Sequence, residues 1–324
     1  MKEYRTFDVA YQDVTFEQRG HAAWITINRE KRGNSFRRET LDEIRDAVER
    51  AGDGPGIRSV VITAAGSRFF STGGDVVDYN TRYTDDLIGM KAYERAMERT
   101  FSEIMHCPKP VIHRVNGDVV GGANAFHLAA DFVVMNRTAK FQQVGVGVGS
   151  VAAFGPTQWW PLMVGDRRAR DILMALKPVT SELAEEWGVA NVVCDYDQLD
   201  AEVEKIVVNL ARMFPDALRY TKVALNHQKE LMFREMTQAR EWCTLHFPSM
   251  ESRSGFGAFF HKKPIDSNPS WTAQDTGHNT VAPYGGYSVL CTACGADHLP
   301  EDHKFCGVCG AGLTKPATPV KAAA

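Results

Sequence analysis

The stretch Asn116-Gly117-Asp118-Val119-Val120-Gly121-Gly122-Ala123-Asn124 follows a β-branched, apolar run at Val111–Val115 and leads into a helical run at Ala123–Ala130. A shorter counterpart, Phe69-Phe70-Ser71-Thr72-Gly73-Gly74-Asp75, follows a second such run at 57–63 (IRSVVIT). Singly, each Gly-Gly pair is a weak signal, because glycines commonly just end a strand. As a pair they are more informative. Two backbone N–H groups from separate turns can converge on one carbonyl oxygen, and the missing side chains let that carbonyl approach closely. The helix opened by the second turn would add an N-terminal dipole that favours negative charge there.

Outward from these turns, residues 14–28 and 57–63 read as half-buried strands, with a helix from Thr40 to Ala51 between them carrying Leu41, Ile44, Ala47 and Val48 at helical spacing. Phe132–Met135 reads as a further strand. From Arg167 onward the pattern turns helical, with amphipathic stretches at 167–176, 180–187, 198–214 and 218–250. The architecture implied is α/β: a mixed βα core followed by a C-terminal helical layer. The 324 residues suffice for one large domain plus an appendage. A formal charge of -3 gives no global attraction to nucleic acid or anionic lipid. The start, MKEYRTFDVAYQD, lacks the apolar core of a secretory signal, so the cytoplasm is the expected location. Residues 141–165 are uncharged but hold three glycines between 145 and 149, then Gly155, Pro156 and Pro161, which predicts a buried irregular loop rather than a membrane span.

Of the seven cysteines, Cys107, Cys194 and Cys243 are scattered and read as reduced core thiols. The other four form Cys291-x-x-Cys294 and Cys306-x-x-Cys309, eleven residues apart in a segment too short to build a core. Such spacing matches a tetrahedral zinc site, with Gly295 and Gly310 allowing the tight turns that aim backbone N–H groups at sulfur. Disulfides and an iron–sulfur cluster are the competing readings. Full protein ligation points to a structural metal whose binding drives folding of the piece. The expected organisation is a domain over 1–265, a Ser/Thr/Asn/Gly/Pro-rich linker over 266–288, a zinc ribbon over 289–313 and a disordered tail over 314–324.

Residues 14–264 resemble the crotonase (enoyl-CoA hydratase/isomerase) superfamily: TINREKRGNSF, RFFSTGGD, KPVIHRVNGDVVGGAN, AADFVV, AKFQQ, PTQWWPLMVG and ESRSGFGAFFHKKP occur in the family's order. The resemblance implies a spiral of ββα units assembled as a homotrimer or hexamer. Gly74 and Gly122 would supply the oxyanion-hole N–H groups for a coenzyme A thioester enolate. Coenzyme A, as part of the substrate, would lie over the turn Lys31, Arg32, Asn34, Ser35, helped by Phe259, Lys262 and Lys263; a solvated helix end is the alternative for the lysines. Hydratases of the family carry one glutamate three residues beyond the second oxyanion glycine and another in the loop near 145. Here those places hold Ala125 and Gly145, neither of which can move a proton.

CPKPVIHRVNG, the spacing of Tyr79 and Tyr83, and REWCTLHFPSMESRSGFGAF are similar to the 6-oxocyclohex-1-ene-1-carbonyl-CoA hydrolases, which open a ring by hydrolysis. That subgroup keeps a glutamate where this chain has Ala125, and related ring-cleaving and ring-closing enzymes keep an aspartate where it has Ala152. The resemblance implies hydrolytic C–C opening of a cyclic β-keto or enone carboxyl-CoA; another hydratase, isomerase or lyase reaction, or an acyl-CoA-binding subunit docking a protein partner through the ribbon, are the alternatives. Polar groups expected near the pocket are Asp75, Asp78, Tyr79, Tyr83, Ser150 and Gln158. Tyr83 is the first choice for the ketone side, and Asp75 or Asp78 for activating water. Asp75 could instead cap a helix starting at Val76. His127 reads as a buried or interface residue, and His113 and Asp118, by the strand end, as packing or subunit-contact residues.

Overall fold

The apolar run at 14–28 is two strands rather than one: Gly20, at φ 54°, turns β1 (Val14–Arg19) antiparallel onto β2 (Ala22–Ile27). The structure, a computed structural model, describes residues 9–83, 86–260, 262, 287–289, 291–295, 299–300 and 304–313. The strands that follow are β3 (Ser59–Ala64), β4 (Phe69–Ser71), β5 (Val111–Val115), β6 (Asp118–Val120), β7 (Phe132–Asn136), β8 (Lys140–Gln142), β9 (Val179–Thr180) and β10 (Val192–Cys194). The helices are α1 (Arg38–Asp53), α2 (Val76–Asp78), α3 (Leu87–His106), α4 (Asn124–Ala129), α5 (Pro156–Val164), α6 (Asp166–Leu173), α7 (Ser181–Glu186), α8 (Leu199–Ala211), α9 (Pro215–Leu231), α10 (Phe233–His246) and α11 (Met250–Phe260).

These strands form a larger sheet in the order β1-β2-β3-β5-β7-β10, parallel from β2 onward, and a smaller one in the order β4-β6-β8-β9. Each of β3, β5 and β7 is followed directly by a strand of the smaller sheet, so the chain climbs as repeated ββ steps closed by helices. Both faces of the larger sheet are buried, as expected of parallel strands. Along β2, Ala23, Ile25 and Ile27 join the main core with α1 and α3, whereas Ala22 and Trp24 join a second core closed by Leu199, Val203, Val207 and Leu210 of α8. The predicted helix at 218–250 is broken at Met232 into α9 and α10. Only the second sends an apolar face, Met236, Ala239, Cys243 and then Phe247, into the main core; α9 is anchored by buried Lys222 and Asn226 on carbonyls of Ile104, Lys109 and Met105. Among the described residues no helix is long and apolar enough to cross a membrane.

At the C-terminal end, β11 (Tyr287–Val289) pairs with β12 (Leu299–Pro300), so the expected boundary at 289 falls inside a strand. Lys263, most of the expected linker and the tail 314–324 lie outside the described residues.

Candidate active site

Parallel pairing of β4 with β6 brings the two glycine turns together at the same ends of adjacent strands. A Cβ added to Gly73, at φ 88°, would lie 2.9 Å from the Val120 carbonyl oxygen and 3.2 Å from Gly122 N, so only glycine lets the turns approach this far. The Gly74 N–H is spared by its neighbours, because the bridge to Phe36 uses Asp75 N and Gly73 O. Gly122 is the second residue of the 3-10 turn Gly121–Ala123, where N–H groups have no intrahelical acceptor. Neither amide donates to an acceptor among the described residues. The helix behind them, α4, has only six residues, so the local amides rather than a helix dipole supply most of the positive potential.

Both glycines line a cavity of about 310 Å³. Its apolar walls include Met90 and Met97 of α3, Phe247, and Phe256 and Phe259 of α11; the irregular segment predicted at 141–165 supplies Gly145, Ser150, Ala152 and Phe154. The polar side chains on the wall include Thr72, Tyr79, Tyr93, Glu94 and Gln143. Tyr79 starts a single π turn, Tyr79–Tyr83, a distortion common where side chains are aimed at a site. Its hydroxyl is 3.1 Å from that of Tyr93, its ring packs edge-on against Phe247 and Phe256, and a Cβ on Gly74 would collide with both tyrosine hydroxyls. Burial holds both phenols well above their usual pKa, so they stay protonated and can donate.

Asp75, Asp78 and Tyr83, the acid–base candidates read from sequence, are absent from this wall. Asp75 caps α2 through Val77 N at 3.0 Å, pairs with Arg29 at 3.0 Å and accepts from Ser35 Oγ at 3.2 Å, which occupies its carboxylate. Asp78 is buried beside Arg82 at 3.3 Å, with its pKa raised by burial. Tyr83 is a buried ring next to Tyr93, its centroid 5.4 Å away. Ser150 does reach the wall; Gln158 does not. Ala125 is fully buried in α4, and Gly145 faces the cavity without a side chain. His113 and His127 are packed among Phe70, Phe126, Phe141 and Trp160, as read.

Around the turn expected to carry coenzyme A, Lys31 and Arg32 are exposed, and Gly33 packs against Thr72 and Phe69 at the cavity rim. Asn34 and Ser35 turn inward: the Asn34 amide donates to Ala65 O and Phe69 O, and Ser35 serves Asp75, so these side chains shape the turn from beneath. Phe259, 57% exposed, and Lys262 are at the end of α11.

The residue missed by sequence reasoning is Glu94. It is fully buried on the face of α3 that also carries Met90, Met97 and Phe101, and it borders the cavity. The available signal was a carboxylate on an otherwise apolar helical stripe.

In the C-terminal module the four cysteine sulfurs lie within 4.8 Å of one another, with Cys291–Cys309 at 3.6 Å and Cys294–Cys306 at 3.7 Å. A tetrahedron with zinc–sulfur bonds of about 2.3 Å needs sulfurs about 3.8 Å apart, so the set fits. Gly295 and Gly310 both have φ 75°, each closing the same turn onto the carbonyl of the first cysteine of its pair. Backbone N–H groups of Cys309 and Val308 pull the Cys306 thiol down to about 7, toward the thiolate a metal requires.

A sequence profile described as enoyl-CoA hydratase/isomerase matches residues 17–273. A crotonyl-CoA hydratase of Syntrophomonas wolfei subsp. wolfei is 31% identical over 258 residues, covering 79% of this chain and 97% of that protein. An enoyl-CoA hydratase/isomerase structure from Xanthobacter autotrophicus Py2 superposes with a TM-score of 0.72 at 26% identity, covering 82% of this chain and 99% of that one. One from Mycobacterium paratuberculosis gives 0.71 at 26%, covering 76% and 97%.

Proposed function

This chain belongs to the enoyl-CoA hydratase/isomerase family of the crotonase superfamily, and from that premise we propose that it opens a cyclic β-keto or enone carboxyl-CoA by hydrolysis of a ring C–C bond. The observation that carries the reading is the cavity's composition. Two unpaired amides meet two protonated tyrosines in an aromatic-walled pocket that suits a ring, while the hydratase glutamate positions hold Ala125 and Gly145.

In this reading the thioester oxygen accepts from Gly74 and Gly122 N–H. Water adds to the ring ketone and gives up one proton to a base at the cavity wall, and the ketone oxygen gains charge and accepts from Tyr79; this role falls to Tyr79 rather than Tyr83 because the Tyr79 hydroxyl lies against Gly74. Collapse of the adduct breaks the bond to the α-carbon and leaves the electron pair on the thioester enolate, where the two amides hold it. A proton returned to the α-carbon completes an open-chain carboxylate that is still a thioester. Lys31, Arg32, Phe259 and Lys262 are proposed to contact coenzyme A, and the four cysteines to hold one structural zinc. A homotrimer or hexamer is the expected assembly.

Incubation with a cyclic 2-oxo or 6-oxo-1-ene carboxyl-CoA in ¹⁸O-water tests the reaction. Label is expected in a new carboxylate while the thioester survives; label in free acid released from coenzyme A would overturn it. The likeness to a crotonyl-CoA hydratase favours a second reading, hydration of an enoyl thioester, which would instead put label in a hydroxyacyl-CoA.

A further inference from the structure

We propose that Glu94 is a catalytic acid–base residue of the acyl pocket, exchanging a proton with the α-carbon of the bound thioester. The inference rests on the thioester-enolate reading above and names the group that reading leaves unassigned.

Three observations carry it. First, Glu94 is fully buried yet borders the cavity shared by Gly74, Gly122 and Tyr79, one residue along α3 from Tyr93, whose hydroxyl lies against Gly74. Second, its carboxyl is incompletely satisfied. Oε2 accepts the Thr244 hydroxyl and the Cys243 thiol is a weak donor to the carboxyl, while among the described residues Oε1 has no N–H or O–H donor. A buried carboxyl oxygen without a partner costs stability, which a purely structural residue would avoid by being leucine or methionine. Third, the cation nearby is engaged elsewhere: Arg240 is paired with Glu98 and Glu241. Among the described residues no cation forms an ion pair with Glu94, and Arg240 acts on it only at longer range.

Burial accordingly raises the Glu94 pKa to about 7, so both protonation forms are populated near neutrality. The groups around it are Tyr79, Tyr93, Cys243, Thr244, Arg240 and Glu241; the Cys243 thiol and both phenols are themselves held protonated by burial. In exchange on a thioester that carries an α-proton, the Glu94 carboxylate takes it: the C–H bond breaks, an O–H bond forms on Glu94, and the electron pair moves to the thioester oxygen at Gly74 and Gly122. In ring opening the carboxylate instead takes the proton that water loses as it adds to the ketone, and after the C–C bond breaks the protonated carboxyl delivers that proton to the α-carbon. Both modes balance with the substrate and water alone.

The test is deuterium incorporation from D₂O into cyclohexanecarboxyl-CoA, a saturated probe that can be neither hydrated nor ring-opened, with binding of the same thioester measured by calorimetry. Glu94→Gln should bind it as wild type does and lose about 10²–10⁴-fold in exchange rate. Glu94→Asp should keep part of the rate. In wild type the rate should rise with pH through about 7, and this limb should vanish in Glu94→Gln, which a structural role would not produce. Unchanged exchange in Glu94→Gln overturns the proposal and leaves the enolate reading standing. Absence of exchange in wild type, with binding intact, sinks the enolate reading and this inference with it.

Discussion

At the scale of single residues, burial decides which groups can do chemistry. Tyr79 stays protonated and sits against the Gly74 turn, so it is suited to donate to an oxygen that becomes negative. Tyr79→Phe should therefore lower kcat for ring opening much more than it raises KM, because the lost bond strengthens mainly in the transition state; an unchanged kcat would remove Tyr79 from the mechanism. Burial also sets the pH dependence of stability. His113 is pushed down to about 3 and His127 well below its usual value, so the unfolded chain binds more protons than the folded one as pH falls below about 6.5. Glu94 acts with the opposite sign: its raised pKa adds stability that is complete below about 4.5 and lost as pH rises through about 7. Between these limits the two histidines oppose Glu94 together with Asp78, Glu103 and Asp118, whose carboxyls burial also raises. The Glu94 contribution is therefore read as a difference between variants: from about pH 6.5 down to about pH 4.5 the urea unfolding free energy of Glu94→Gln should fall relative to wild type, because the variant lacks one of the compensating carboxyls. A difference that stays constant over that range would contradict the raised Glu94 pKa. The histidines were legible as packing residues, since His127 stands two places beyond Ala125 on its helix. Glu94 was not, because nothing in a single sequence says that the Met90–Phe101 stripe borders a cavity.

At the scale of elements, the glycine turns were readable and their surroundings were not. The strand before each turn and the helix after the second follow from β-branched runs and spacing. The juxtaposition follows only from β4 lying beside β6, a pairing between strands separated by the whole of α3. The same distance in sequence hid the roles of Asp75 and Tyr83. Arg29, which occupies Asp75, comes from a turn 46 residues earlier, and the π turn that carries Tyr79 to the cavity leaves Tyr83 buried elsewhere. Two substitutions separate the contributions of the turns. In Gly74→Ala the new methyl meets both tyrosine hydroxyls, so turnover should drop about 10²–10³-fold, as for loss of an oxyanion donor, with a lowered Tm. In Gly122→Ala the methyl meets the flexible end of Met97 at 3.2 Å, so Tm should change less. Equal Tm losses would mean that the Tyr79–Tyr93 pair is not what holds the first turn.

At the scale of the whole molecule, the family fold was evident from the order of motifs along 14–264, whereas the reaction depends on which carboxylate reaches the cavity. That dependence makes crotonyl-CoA a discriminating substrate. With Ala125 and Gly145 in the hydratase positions, hydration should fall several orders of magnitude below the ~10–10³ s⁻¹ usual for efficient enzymes, since each missing acid–base group forfeits about 10²–10⁴-fold. Turnover within the usual range would overturn the ring-opening reading in favour of hydration. The C-terminal module obeys a different rule. Its described residues bury little besides Cys291 and Cys306, packed with Ala311 and Leu313, so in the proposed reading its folding free energy would come from metal–sulfur bonds rather than from a core. The large domain has two cores of its own. The full-length protein should accordingly carry one zinc per chain, and Cys291→Ser combined with Cys294→Ser should abolish it. Because none of the cysteines in the large domain belongs to the metal set, the main calorimetric transition of that variant should stay where it is in wild type. Loss of that transition together with the zinc would show that the module is a structural part of the large domain.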